Sequence, residues 1–262
     1  SVLLYRSVST TTNMAAHGGR VAMATCLFAV AAASMFTFLA TPSAAATAPS
    51  GERLYLCDVP YPYDAALKMY SDSAFSNQQF IFKGSQYWEY QDEYRRIAVN
   101  YPKDIATGFP GIPNDIDAAL MYTLNDKIYF YKGTQYWRYT PGSGIDSGYP
   151  RAISEGYTGA LPDNIDSIER WNSDRFYVYK GDTYWGYEEG VGILSTFPKP
   201  HLLGFNPEAI LSSPFSTSRT ISYMFVGANT YLYNSGITAS SPWPTCSSCE
   251  GSVVISSGTS GT

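Results

Sequence analysis

The chain has 262 residues and a formal charge of −5, from 17 Lys and Arg against 22 Asp and Glu. That acidic balance excludes generic nucleic-acid binding, which needs a basic face to displace the counterions of a phosphate backbone. Aromatic residues make up 16% of the chain, with 23 tyrosines, and no acidic residue occurs before Glu52.

Residues 1–13 precede the first methionine, Met14, and show no organised pattern; they read as upstream sequence or an N-terminal extension. Residues 14–46 read as a secretory signal. Arg20 supplies positive charge, "VAMATCLFAVAAASMFTFLA" the apolar run, and "TPSAAATAPS" small residues for cleavage near Ala45 or Ala46. An apolar run of about 20 residues is also long enough for a bilayer anchor. Its Ala-rich composition and the lack of a basic stop-transfer flank favour the cleaved signal, so the mature form is expected outside the cytosol with no stable membrane span. Residues 47–56 then form a linker. The mature region has no Asn-x-Ser/Thr sequon.

Three cysteines follow the signal: Cys57 just before a block of repeats, and Cys246 and Cys249 just after it. In an oxidising compartment this placement suggests a bridge tying the ends of the block together, with one cysteine left over. Zinc suits the sequence poorly, because the cysteines are few and His201 is the one histidine of the mature chain.

The repeat block covers 57–246, in units of about 57–113, 114–162, 163–204 and 205–246. "FKGSQYWEY" begins at Phe82, "YKGTQYWRY" at Tyr131, "YKGDTYWGY" at Tyr179 and "FVGANTYLY" at Phe225. An acidic residue followed by small or aliphatic ones opens each unit at Asp64, Asp117, Asp166 and Glu208, with spacings of 42 to 53 residues. That period fits propeller blades. A Tyr-Pro or Phe-Pro element recurs at Tyr101, Tyr149 and Phe197.

In the second unit "DAALMYTL", "KIYFYKG" and "TQYWRYT" read as three strands, Gly133 taking a turn position that favours positive φ. The Gly- and Pro-rich segment after them holds a fourth edge strand and a short helical turn around Ala152–Glu155. Apolar residues at successive positions in "IYFYKG" and "FYVYKG" leave no polar face, which suits a sheet buried on both sides. A propeller blade, packed between two neighbours, meets that demand. The fold class is therefore all-β, a four-bladed propeller. Unit four departs most, with Val226-Gly227 for Lys-Gly, Tyr231-Leu232 for Tyr-Trp and Glu208 for Asp, so it is the unit expected to be irregular. Residues 247–262 have the composition of a flexible tail.

The order Cys, Asp-Ala-Ala, Phe/Tyr-Lys-Gly, Tyr-Trp, Tyr-Pro-Lys/Arg and "SPWPTC" resembles the hemopexin-like domain family, which includes hemopexin, vitronectin and the C-terminal domain of matrix metalloproteinases. The resemblance covers 57–246; a likeness to plant albumin-2 proteins is weaker. It implies a first-to-last-blade disulfide, Cys57–Cys246, since Trp243 stands three residues before Cys246. Cys249 is then a free or alternative thiol, available for a disulfide-linked dimer or as a competitor for Cys57.

The resemblance also implies a structural cation, Ca²⁺ or Na⁺, in the central channel. Its ligands would be the main-chain carbonyls of Asp64, Asp117, Asp166 and Glu208, with a candidate second ring at Ala66, Ala119, Ile168 and Ile210. Side-chain anchoring of the strand starts by the acidic residues is compatible with both.

Catalysis is not expected: the chain has no His-Glu-x-x-His run, G-x-S-x-G elbow or P-loop. Asp163, Asp166 and Glu169 suggest a carboxylate pair but read as repeat-wide architectural residues. Haem is not expected, because bis-histidine ligation cannot come from His201 alone; that residue reads as a turn or surface histidine. The remaining reading is a secreted binding module for an extracellular protein or matrix ligand, with Arg95, Arg96, Arg138 and Arg151 as candidate contacts. The enzyme-class alternative is a truncated or relic matrix metalloproteinase lacking its catalytic domain.

Overall fold

Each repeat unit forms one antiparallel sheet in the computed structural model, which describes residues 54–70, 78–91, 96–172, 174–216, 219–234 and 243–244. All of these belong to one unit, Ala44–Thr262. Segment 1–13, the signal over 14–46, Cys246, Cys249 and the tail lie outside the described residues.

Blade one consists of β1 (Ala65–Lys68), β2 (Gln79–Lys83) and β3 (Gln86–Gln91), with the two-residue strands β4 (Arg96–Ile97) and β5 (Lys103–Asp104) both paired to β3, then α1 (Ile105–Gly108). Blade two repeats the plan as β6 (Ala118–Tyr122), β7 (Lys127–Lys132), β8 (Gln135–Thr140), β9 (Gly144–Ile145), β10 (Arg151–Ala152) and α2 (Ile153–Gly156). Blade three has β11 (Ser167–Arg170), β12 (Arg175–Lys180), β13 (Thr183–Glu188), β14 (Gly192–Ile193) and β15 (Lys199–Pro200). Blade four has β16 (Ala209–Ser216), β17 (Arg219–Val226), β18 (Asn229–Asn234) and β19 (Trp243–Pro244). The single edge strand expected per unit is thus two short strands in blades one to three. Blade four is irregular as expected, with longer β16 and β17 and a register shift between Pro214 and Ser216.

The inner strands close a ring: β1 lies against β6 and β16, and β11 against the same two. Small residues at the strand starts (Ala65, Ala118, Ser167 and Ala209) let the four strands approach around the axis. Ala65, Leu67 and Met69 pack towards Ala119 and Met121 of blade two, and Ala118, Leu120 and Tyr122 towards Ile168 of blade three. Closure of blade four on blade one joins Ala66, Trp88 and Tyr63 to Ala209, Leu211 and Phe225, with the Tyr63 and Phe225 rings edge to face at 5.2 Å. Each fully buried large apolar side chain contributes about 1.5–3 kcal/mol relative to exposure. Hydrocarbon packing therefore closes the ring. Cys57 is half-buried near the start of blade one; the expected partner, Cys246, lies outside the described residues.

The Tyr-Trp dipeptide has a direct reason in this architecture. Adjacent strand residues point to opposite sheet faces, so Tyr87 and Tyr136 pack towards the following blade while Trp88 and Trp137 pack towards the preceding one. The register corrects the alignment of unit four. Thr230 pairs with Phe225, as Tyr87 does with Phe82, so the equivalent pair is Thr230-Tyr231 and not Tyr231-Leu232. Tyr231 takes the Trp position and stacks on Phe205 at 3.9 Å.

A second correction concerns Glu169. Paired with Tyr177, it occupies the column of Leu67, Leu120 and Leu211, so it does not recur with the repeat. It is buried between blades three and four, where Tyr179 donates to Oε2 at 2.8 Å and Ser222 of blade four donates to Oε1.

Candidate functional site

Asp64, Asp117, Asp166 and Glu208 each stand one residue before an inner strand. Each carboxylate accepts the backbone N–H of its own blade's turn glycine: Gly84, Gly133 and Gly181 at 2.6 Å, and Gly227 at 2.8 Å. These glycines have φ of 61, 60, 52 and 52°, the left-handed region that other residues enter at a cost. The longer Glu208 side chain keeps this clamp in blade four, although the Lys-Gly lysine is lost there.

The other side of each turn grips the next blade. The Gly84 carbonyl accepts the N–H of Asp115, and that of Gly133 accepts the N–H of Asn164, both at 2.8 Å. At Gly181 the ring of His201 takes over, its Nε2 2.8 Å from the carbonyl, so Nε2 carries the proton. With its amide nitrogen facing the turn, Asn206 adds a second donor at 3.0 Å. His201 thus holds the turn of its own blade, blade three, and Asn206 reaches that turn from blade four. The lysines tie down the same region: Lys83 Nζ meets Asp64 Oδ1 at 2.6 Å, and Lys132 and Lys180 donate to the carbonyls of Asn114 and Asp163 at 2.5 and 2.6 Å. Asp163 therefore acts here through its main chain.

The four acidic residues surround one cavity of about 400 Å³ at the mouth of the channel. Tyr63, Ile116, Ile165 and Pro207, each directly before an acidic residue, line its walls. That column went unread in the sequence, although its signal was its fixed place in the repeat. Burial holds the Asp117 carboxyl above its usual range; the Gly133 amide and Lys132 pull it back, and repulsion from Asp64 and Asp166 raises it again. The acids of successive blades therefore feel one another across the mouth.

This donor set fits a hard cation. Ca²⁺ prefers oxygen ligands, backbone carbonyls included, and the carboxylates supply negative potential while engaged on the turns. Among the described residues no group of three or more His, Cys, Asp or Glu side chains is arranged for a metal, so main-chain oxygens are the donors to consider. Ala66, Ala119, Ile168 and Ile210 are buried further along the inner strands, outside the mouth lining, and each packs towards the preceding blade.

Tyr70 closes the far end of the channel. Its hydroxyl donates to the carbonyl of Ser212 in blade four, and its N–H meets Sδ of Met121 in blade two at 3.1 Å. The Arg170 guanidinium of blade three sits 4.2 Å from its ring centroid. Burial holds the Tyr70 hydroxyl neutral and lowers the pKa of Arg170. Nothing in the repeat pattern marks this plug, because its residues occur once each.

The candidate contact arginines separate. Arg96 is half-buried in β4, Arg138 is held by Asp146 at 2.7 Å with Tyr149 4.7 Å below it, and Arg151 is exposed; Arg95 lies outside the described residues.

Residues 70–114 and 116–156 match the hemopexin family model. These two stretches, within blades one and two, are hemopexin repeats. Vitronectin of Sus scrofa is 44% identical over an alignment taking in 26% of this chain and 17% of that protein. Matrix metalloproteinase-21 of Mus musculus is 39% identical over 21% of this chain and 11% of that protein. The matched hemopexin segment thus spans less than a fifth of these curated relatives. Among solved structures, the hemopexin fold protein CP4 from cow pea superposes with a TM-score of 0.56 at 18% identity, over 70% of this chain and 93% of that one. The four-bladed hemopexin architecture therefore extends through blades three and four, beyond the residues the family model matches. No helix among the described residues is long and apolar enough to cross a membrane.

Proposed function

We propose that this hemopexin-repeat propeller is a secreted, non-enzymatic binding module that holds Ca²⁺ or Na⁺ at its channel mouth and engages an extracellular protein or matrix ligand through blade edges and loops. One observation carries the reading: the four recurrent carboxylates are committed to turn amides around a single negative cavity. That arrangement serves rigidity and cation binding rather than proton transfer. The relatives with the same repeats, vitronectin and matrix metalloproteinases, support the extracellular assignment.

The carbonyls of Asp64, Asp117, Asp166 and Glu208 would hold the cation. It supplies positive charge where inner strands of four blades meet, offsetting the repulsion felt by Asp117. A ligand bound to the folded state alone adds stability, about 2.7 kcal/mol at a hundredfold excess over Kd. The test is affinity capture from extracellular extract on the purified chain, with and without chelator. A reproducible partner whose capture weakens on chelation supports the module; no specific partner in either arm, or peptidase activity of the pure chain, removes it.

The similarity to matrix metalloproteinase-21 favours a second reading, in which the chain is the propeller part of a protease. Genomic exons upstream of Cys57 decide it: a catalytic domain encoded there supports the protease.

A further inference from the structure

A cleft of about 230 Å³ between blades two and three is lined by tyrosines, with Arg138, Arg151 and Glu189 among the other lining residues. The same slots between blades one and two hold mostly hydrocarbon. By position in the repeat, Met69, Phe80, Phe82 and Phe109 there correspond to Tyr122, Tyr129, Tyr131 and Tyr157 here. Aromatic packing alone does not require those hydroxyls, since phenyl rings fill the equivalent positions one blade earlier.

The hydroxyl protons are not all used. A phenol has one proton to donate and can also accept. Tyr131 and Tyr157 share one bond at 2.5 Å, so two oxygens carry two protons and the bond uses one. The Tyr136 and Tyr149 rings meet edge to face, their centroids 5.4 Å apart. Tyr129 accepts from Asn125 at 2.9 Å. At least four O–H protons therefore lack an acceptor among the described residues: one of the Tyr131–Tyr157 pair, one of Tyr136 and Tyr149, and those of Tyr129 and Tyr187. Burial raises the pKa of Tyr129, Tyr131, Tyr136, Tyr157 and Tyr187, so they remain donors at neutral pH.

We propose that this cleft binds a single neutral sugar ring. The lining offers more protons than acceptors, and a sugar is complementary: each hydroxyl has two lone pairs to one proton, and the ring oxygen only accepts. The exposed residues Arg151 and Glu189 bring charges of opposite sign, which disfavours a simple anion or cation but suits hydroxyls that both donate and accept. The rings of Tyr129 and Tyr136, parallel to within 14° at 6.3 Å, add flat faces for C–H groups. At ~30 Å³ per water the cleft has room for about eight waters, the scale of one sugar ring.

The test follows tyrosine-ring NMR signals of the purified full chain during titration with glucose, galactose, mannose and N-acetylglucosamine, each at millimolar levels, and separately with sodium sulfate and tetramethylammonium chloride. Saturable shifts at Tyr131 or Tyr157 with at least one sugar are expected. Tyr131→Phe, which introduces the ring that Phe82 already provides one blade earlier, should weaken that sugar about tenfold, the cost of one good hydrogen bond. Arg151→Met, at an exposed position, gives a second variant expected to weaken it without touching the core. No shift with any of the four sugars, stronger response to sulfate or the ammonium ion, or unchanged sugar affinity in both variants overturns the assignment.

Discussion

Replacing Glu169 tests how the interface between blades three and four is held. Its carboxyl is fully buried, accepts from Tyr179 and Ser222, and has its pKa raised by burial against the opposing pull of those two bonds. A carboxyl raised in the folded state binds more protons there than in the unfolded chain. Stability from this group is therefore complete below the unfolded value, near 4.3, and falls as pH rises through the folded value. The fall approaches about 1.4 kcal/mol per pH unit inside that window. Glu169→Gln keeps the shape and, with one hydroxyl turned to accept, both contacts, but cannot ionise. It should match the native chain near pH 3.5 and exceed it at pH 7. Glu169→Leu restores the residue of the other three blades but leaves two hydroxyls without an acceptor, at about 1–3 kcal/mol each, so it should fall below Glu169→Gln. Adding Tyr179→Phe, the residue at the corresponding Phe82 and Phe225, should recover part of that loss. Urea unfolding of the full chain at both pH values reads these differences. A Glu169→Gln midpoint that tracks the native one at every pH would refute the reasoning.

Two glycine substitutions should fail for different reasons. Gly133→Ala meets nothing closer than 4.0 Å, but its φ of +60° should cost about 1–2 kcal/mol in thermal melts. Gly156→Ala puts a methyl 2.1 Å from the Tyr136 hydroxyl and should cost more, with Tyr136→Phe failing to rescue because ring carbons lie 2.4 Å away. At the channel mouth, Asp117→Asn retains an acceptor for Gly133 and should be close to neutral. Asp117→Ala orphans that amide and should lose about 1–3 kcal/mol by denaturant titration, or show by little change that the clamp is dispensable.

The features legible in the sequence are those that ring packing demands in every blade. Acid, Lys-Gly and Tyr-Trp recur because each blade needs the same turn clamp and the same pair of opposed aromatic faces. In unit four Tyr231 fits either column of the motif, and only the pairing of Thr230 with Phe225 separates them. The features that went unread occur once. Tyr70 finds its acceptor 142 residues away in blade four, a contact set by ring closure and by no local pattern. Glu169, three residues from Asp166, reads in sequence as a repeat-wide acid, whereas the strand register puts it in a leucine column. The tyrosines of the second cleft could be counted but not located, since their meaning depends on which slots hold phenyl rings one blade earlier.

The cation proposed at the mouth would turn four clamped turns into one site, and a crystal structure of the chain grown with calcium tests it most directly. An anomalous peak on the propeller axis, about 2.3–2.6 Å from the carbonyl oxygens of Asp64, Asp117, Asp166 and Glu208, is the expected result. An axis without a peak at saturating calcium, or those carbonyls turned away into strand hydrogen bonds, would contradict it.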